Sequence, residues 1–127
     1  MSKYGNRKIT VDGKIFDSVH EAERYKQLRL MEQAGKIREL ETQRKFELIP
    51  AQYETYERYS SRGKRLQDGR RCVEKGVGYV ADFVYRDESG ALIVEDTKGY
   101  RKGTAYDVFV IKRKLMRHIH GIAVKEV

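Results

Sequence analysis

The chain has 127 residues, 39% of them hydrophobic, with 27 Lys and Arg against 19 Asp and Glu, so it carries +8 and a pI near 9.6. That length suits one domain, 1–127, and no apolar run reaches the about 18 residues of a membrane span. Cys72 is the only cysteine, which excludes an internal disulfide and a Cys-based zinc site.

The start "MSKYGNRK" has no apolar signal-peptide core, so the expectation is a cytoplasmic protein with no membrane partner. Its basic excess favours a polyanion, because each phosphate neutralised releases counterions. Charge alone does not separate DNA from RNA, or nucleic acid from an anionic membrane.

Residues 7–16, "RKITVDGKIF", are two alternating runs around Asp12-Gly13, which predicts a hairpin. Ser18 is placed to cap a helix running to about Ala34, with Gly35 at its C′ position. Leu40, Phe46 and Leu48 alternate with charged residues across 37–50, a strand ended by Pro50. Residues 53–76 then change character: seven basic residues lie between 58 and 75, with Tyr53, Tyr56 and Tyr59 at the start of the segment. That composition predicts an excursion from the core, either a long hairpin arm or a mobile loop.

A second hairpin follows over 79–99, turning at about Asp87–Gly90. The loop "GYRKG" leads into a helix from Thr104 to near His118, with Thr104 and Asp107 as a capping box and Val108, Ile111 and Leu115 as its apolar stripe. "IAVKEV", 122–127, reads as a closing strand. The order β-hairpin, α, β, β-hairpin, α, β gives an α/β class, a mixed sheet flanked by helices.

The hairpin at 79–99 carries acids where a buried strand should avoid them. Strand alternation puts Leu92, Val94, Asp96 and Lys98 on one face and Ile93, Glu95 and Thr97 on the other. Glu95 therefore points away from Asp96 and is expected to pair with a neighbouring strand or helix. Asp82 is embedded among Val80, Ala81, Phe83 and Val84. If the strands pair about the 87–90 turn, Asp82 and Asp96 come within a few ångströms, a conflict that a divalent cation resolves. The alternative is a pair of ordinary strand ends, with Asp96 and Lys98 a surface ion pair.

An Asp followed about a dozen residues later, across a hairpin, by Asp/Glu-x-Lys is similar to the PD-(D/E)XK nuclease signature. Ala81 stands where that signature usually has proline. "FDSVHEAERYKQLRLMEQAGKIRELETQRKFELIP", "YVADFVY" and "VEDTKG", with a Thr-capped helix containing "IKRKL", resemble small, basic, phage-encoded members of that superfamily. The resemblance covers nearly all of the chain outside 53–76. It implies a restriction-endonuclease-like core and a phosphodiester-cleaving site in which Asp82, Asp96 and the Thr97 carbonyl hold Mg²⁺ or Mn²⁺. Lys98 would orient the attacking water or offset charge on the phosphate.

The resemblance also matches Glu21 to a first-helix metal ligand, although Ser18-Val19-His20-Glu21 is a capping box and that alone accounts for a Glu there. Gln43 could bond an active-site carboxylate or sit on the surface. Lys112 could reach the scissile phosphate or snorkel to solvent. His20, His118 and His120 show no metal-ligand spacing.

Arg62, Lys64, Arg65, Arg70 and Arg71 of the excursion, with Arg101 and Lys102 after the D-x-K strand, are the expected nucleic-acid contacts. No segment resembles a base-reading recognition helix, so backbone or shape recognition is expected. The functional expectation is a metal-dependent DNA endonuclease, acting on branched or recombination intermediates such as Holliday junctions. Cutting two strands takes two active sites, which a homodimer would supply. The competing expectation is a non-catalytic DNA-binding or regulatory module on a degenerate nuclease scaffold, with an RNA-binding protein as a weaker third.

Overall fold

The computed structural model describes residues 7–127; the first six residues of the expected 1–127 domain, with most of the start read above, lie outside them. β1 (Ile9–Val11) and β2 (Lys14–Phe16) pair as the expected hairpin. Asp12 and Gly13 turn it with φ of 52° and 76°, the left-handed pair that matches strand twist across a two-residue loop. α1 (Val19–Gln33) starts where Ser18 Oγ accepts the Glu21 N–H at 3.1 Å and buries Glu21, Ala22, Tyr25 and Leu28.

β3 (Arg38–Ile49), β6 (Val77–Arg86), β7 (Leu92–Asp96) and β8 (Lys125–Glu126) form the central sheet in the order β3-β6-β7-β8. Its pairs are antiparallel except the parallel β7–β8, so the sheet is mixed. α1 covers one face through Ala22, Tyr25 and Leu28 packed on Phe83 and Tyr85. α2 (Thr104–His120) covers the other through Phe109 and Met116 packed on Phe46, Tyr79, Ala81, Val84 and Val94. The α/β class with a central mixed sheet and helices is therefore present.

β3 and β6 do not keep one alternation along their length. Leu40 and Thr42 lie on the α1 side with Tyr25, yet Phe46 and Leu48, also even-numbered, pack on the α2 side. On β6, Tyr79 and Ala81 face α2 while Phe83 and Tyr85 face α1. The register is continuous across the change, with Thr42 opposite Phe83 and Arg44 opposite Ala81. Both strands thus reverse their pleat together at Gln43 and Asp82. Gln43 carries the reversal in its backbone, at φ 54°, a left-handed conformation that costs a non-glycine residue about 1–3 kcal/mol.

Three expectations about local structure are corrected. Gly103, φ 92°, occupies the N-cap of α2 without a side-chain cap, so Thr104 begins the helix and the Thr104–Asp107 capping box does not form. Asp107 instead sits in the first turn, where its charge suits the helix dipole. Val108 and Ile111 are exposed and Leu115 is only partly buried. The helix has two apolar stripes, and the one bearing Phe109 and Met116, with more area to bury, takes the core. The closing strand is shorter than 122–127, although Val127 extends it by accepting from Lys98 N and donating to Asp96 O at 3.1 and 2.9 Å.

The excursion is a hairpin arm rather than a loop. β4 (Gln52–Tyr56) and β5 (Gly69–Glu74) form a separate two-stranded ribbon. Beyond it the chain folds back once more: Tyr59 bridges Arg65, and Leu66 N donates to Arg58 O at 2.9 Å.

Candidate active site

The last pair of the β6–β7 ladder is Phe83 opposite Glu95, and one further step in that register sets Asp82 against Asp96. Past that pair the Asp82 carboxylate bonds the chain just beyond β7. Its Oδ2 accepts from the backbone N–H and the hydroxyl of Thr97, at 2.9 and 2.8 Å. From the pleat reversal Gln43 Nε2 donates to Asp82 Oδ1 at 3.4 Å and to Glu21 Oε1 at 3.0 Å. Asp96 is buried and receives the Tyr79 hydroxyl at 2.7 Å and Lys98 Nζ at 3.2 Å. Lys98 is fixed from behind, its ammonium 4.1 Å from the centre of the Phe109 ring.

The first turn of α1, the pleat reversal, the end of β7 and the D-x-K segment are thereby brought together. Glu21, Asp82, Asp96, Thr97 and Lys98 line one cleft of about 1160 Å³, whose other walls are Asp17–His20, Gly99, Tyr100, Lys102, Thr104 and Ala105. The first turns of both helices border it.

The acids in the cleft are short of positive charge. Burial, then the close approach and charge of Asp82, push Asp96 up to about 7, against the lowering effect of Tyr79 and Lys98. Burial also pushes Glu21 up to about 7, with the charges of Asp82, Asp17 and Asp96 adding to it and a backbone hydrogen bond from Asp17 opposing. Burial and the Asp96 bond raise the Tyr79 hydroxyl far above the usual phenol range, so it serves as a donor only.

One residue away, Glu95 is fully buried on the opposite face. Arg24 of α1 donates to it twice, at 2.8 and 2.7 Å, and the Tyr85 hydroxyl donates as well. Glu95 thus pairs with a helix and a strand, as its face predicts.

The oxygen-rich pair Asp82 and Asp96 suits a hard divalent cation by donor chemistry. Among the described residues, no group of three or more His, Cys, Asp or Glu side chains is already arranged as a metal-ligand set. The cleft acids are instead occupied by Thr97, Gln43, Tyr79 and Lys98.

Of the other residues singled out from the sequence, Gln43 joins Glu21 to Asp82, and Lys102 lines the cleft while Arg101 does not. Lys112 is half-buried on α2 and is not part of the cleft lining. Arg62, Lys64, Arg65, Arg70 and Arg71 are on the arm, all exposed. Sequence reasoning passed over Tyr79, Phe109 and the Thr97 hydroxyl. Tyr79 had a usable signal, because a tyrosine in an apolar strand must find its hydroxyl a partner. Phe109 had none, since its role depends on which stripe of α2 turns inward.

No helix among the described residues is long and apolar enough to cross a membrane. No curated protein and no solved structure matches the chain. The family model described as "Protein of unknown function (DUF1064)" matches residues 1–123, nearly the whole chain, and the protein belongs to that family.

Proposed function

We propose that the protein is a metal-dependent DNA endonuclease of the PD-(D/E)XK kind, working in the cytosol on branched or recombination intermediates such as Holliday junctions. One observation carries the reading: Glu21, Gln43, Asp82, Asp96 and Lys98, from four separate parts of the fold, converge at one cleft with an excess of buried acid. Asp82, Asp96, the Thr97 carbonyl and Glu21 would hold Mg²⁺ or Mn²⁺, which when bound polarises the scissile phosphate and lowers the pKa of a coordinated water.

The chain's own groups do the remaining work. Hydrolysis joins a water oxygen to phosphorus and expels a sugar oxygen, which takes up a proton. Lys98, steadied between Asp96 and Phe109, offsets the negative charge that builds on the phosphate. Gln43 keeps the Glu21 and Asp82 carboxylates in register with one another. A homodimer would present two such clefts to two strands.

The second reading, a non-catalytic DNA-binding module on the same scaffold, draws on the partners the cleft acids already have: Thr97 and Gln43 on Asp82, Tyr79 and Lys98 on Asp96. Incubation of labelled duplex, single-stranded, flap and four-way-junction DNA with Mg²⁺, Mn²⁺ or EDTA separates the two. Cleavage with metal and none in EDTA is expected. Binding without cleavage of any substrate in either metal overturns the enzyme reading, and sedimentation of the protein alone tests the dimer.

A further inference from the structure

The arm is built unlike the rest of the molecule. Every residue of β4 is exposed, and on β5 only Gly69 is buried. A lone two-stranded hairpin is marginal in water, so this one lacks the apolar face that would explain it as a folding unit.

Sorting its residues by register shows what it presents. Tyr53 lies opposite Cys72 and Thr55 opposite Arg70, and the Arg70 guanidinium stacks 3.6 Å from the centre of the Tyr53 ring. Those residues form one face. Glu54 lies opposite Arg71 and Tyr56 opposite Gly69, with Arg71 5.3 Å from the Tyr56 ring centre. Those form the other. Tyr56 lies so flat on the backbone that a Cβ added to Gly69 would stand 2.2 Å from its ring.

Each face therefore carries an arginine held over a tyrosine, and the tip adds Arg62 and Lys64. Among the described residues, Arg58, Arg62, Lys64, Arg70 and Lys75 take part in no ion pair. A ribbon made to lie flat on a partner would be basic on one face and apolar or neutral on the other. This one has cations on both faces and at its end. Arg71 is paired with Glu54 only at 3.9 Å and with both side chains exposed, a weak contact that a phosphate can replace, so the ribbon suits a slot with anionic walls.

We infer that the arm is a groove-inserting β-ribbon that enters the major groove of B-form duplex DNA, Arg70 facing one phosphate backbone and Arg71 the other. The major groove is about 12 Å wide and admits a two-stranded ribbon, whereas the A-form major groove is too deep and narrow for side chains to read. The inference rests on the nucleic-acid reading above and adds to it the form of the substrate and how it is gripped.

The test uses the full chain in EDTA, with fluorescence anisotropy on one sequence as DNA duplex, DNA single strand and RNA duplex. Arg70→Ala and Arg71→Ala are each expected to weaken DNA-duplex binding about fivefold and to lower the salt slope by about one. The tip change Arg62→Ala with Lys64→Ala is expected to do more. All these side chains are exposed, and an unchanged Tm shows that each variant folds. Protection of guanine N7 from dimethyl sulfate marks major-groove entry.

A wild type that binds duplex DNA while only one of the two single variants matters, or neither does, overturns the ribbon. So does equal affinity for the RNA duplex or the single strand. A wild type that binds no nucleic acid removes the functional reading itself, a different result from either.

Discussion

Glu95 and Asp96 are neighbours in sequence and both buried, yet their surroundings differ in kind. On the α1 side, Glu95 meets a guanidinium with two matched hydrogen bonds and a tyrosine hydroxyl, so its charge is answered within the fold. On the cleft side, Asp96 shares one lysine with an environment that already contains Asp82 and Glu21. The first arrangement is closed, and any third partner would have to displace Arg24. The second has surplus negative charge at the wall of an open cleft, the condition under which an external cation gains most. Adjacent acids on one strand can thus serve stability and chemistry separately, because a strand sends them to opposite faces.

The widest separation of the two sides should come from removing the closed pair. Arg24→Ala leaves Glu95 buried without its cation and is expected to cost about 3–5 kcal/mol, read as a lowered denaturant midpoint. A midpoint within experimental error of wild type would mean that Glu95 is not a structural acid. On the other face the expectation inverts: Lys98→Ala should lower the cleavage rate by about 100- to 1000-fold while DNA affinity and Tm stay near wild type. If it unfolds the protein and spares the rate of what remains folded, the two faces are alike.

The acids themselves supply a smaller and sharper test. Glu21 and Asp96 are raised from 4.5 and 3.8 to about 7, so the fold favours their protonated forms. The stability they lend is complete below their unfolded values and is lost as pH rises through about 7. In EDTA, Tm should fall between about pH 4 and pH 7 and level off above it, and Asp82→Asn, which removes a charge common to both, should flatten the fall. A Tm that climbs over that window in wild type would show the cleft acids to be satisfied after all. Least in size, Thr97→Val removes the hydroxyl from Asp82 but keeps the backbone bond. It should cost about 1 kcal/mol of stability, measurable in a denaturant titration.

Much of this was legible before any coordinates. Asp12-Gly13, Ser18 with Gly35, and the 87–90 turn announce themselves through local chemistry, and each lies where it was expected. The separation of Asp96 from Glu95 followed from a period of two, which holds along β7. The same period fails on β3 and β6, and nothing in "ETQRKFEL" or "YVADFVY" signals the reversal. It shows only in which of the two helix-covered cores each side chain joins. Gln43 could be named from sequence as a potential partner of a carboxylate, but its link from Glu21 to Asp82 needed that reversal to exist. On α2, periodicity identified a genuine stripe and the tertiary contest between two stripes chose the other.

The paired reversal at Gln43 and Asp82 also fixes how this region can change over generations. Side chains on either side of it can be exchanged one at a time, since each answers only to its local core. An added or lost residue in β3 between Leu40 and Phe46 would put one of those side chains on the wrong layer, and would slide Gln43 past its partner unless β6 changed length to match. Among divergent relatives, the length of this stretch should persist after most of its letters have drifted.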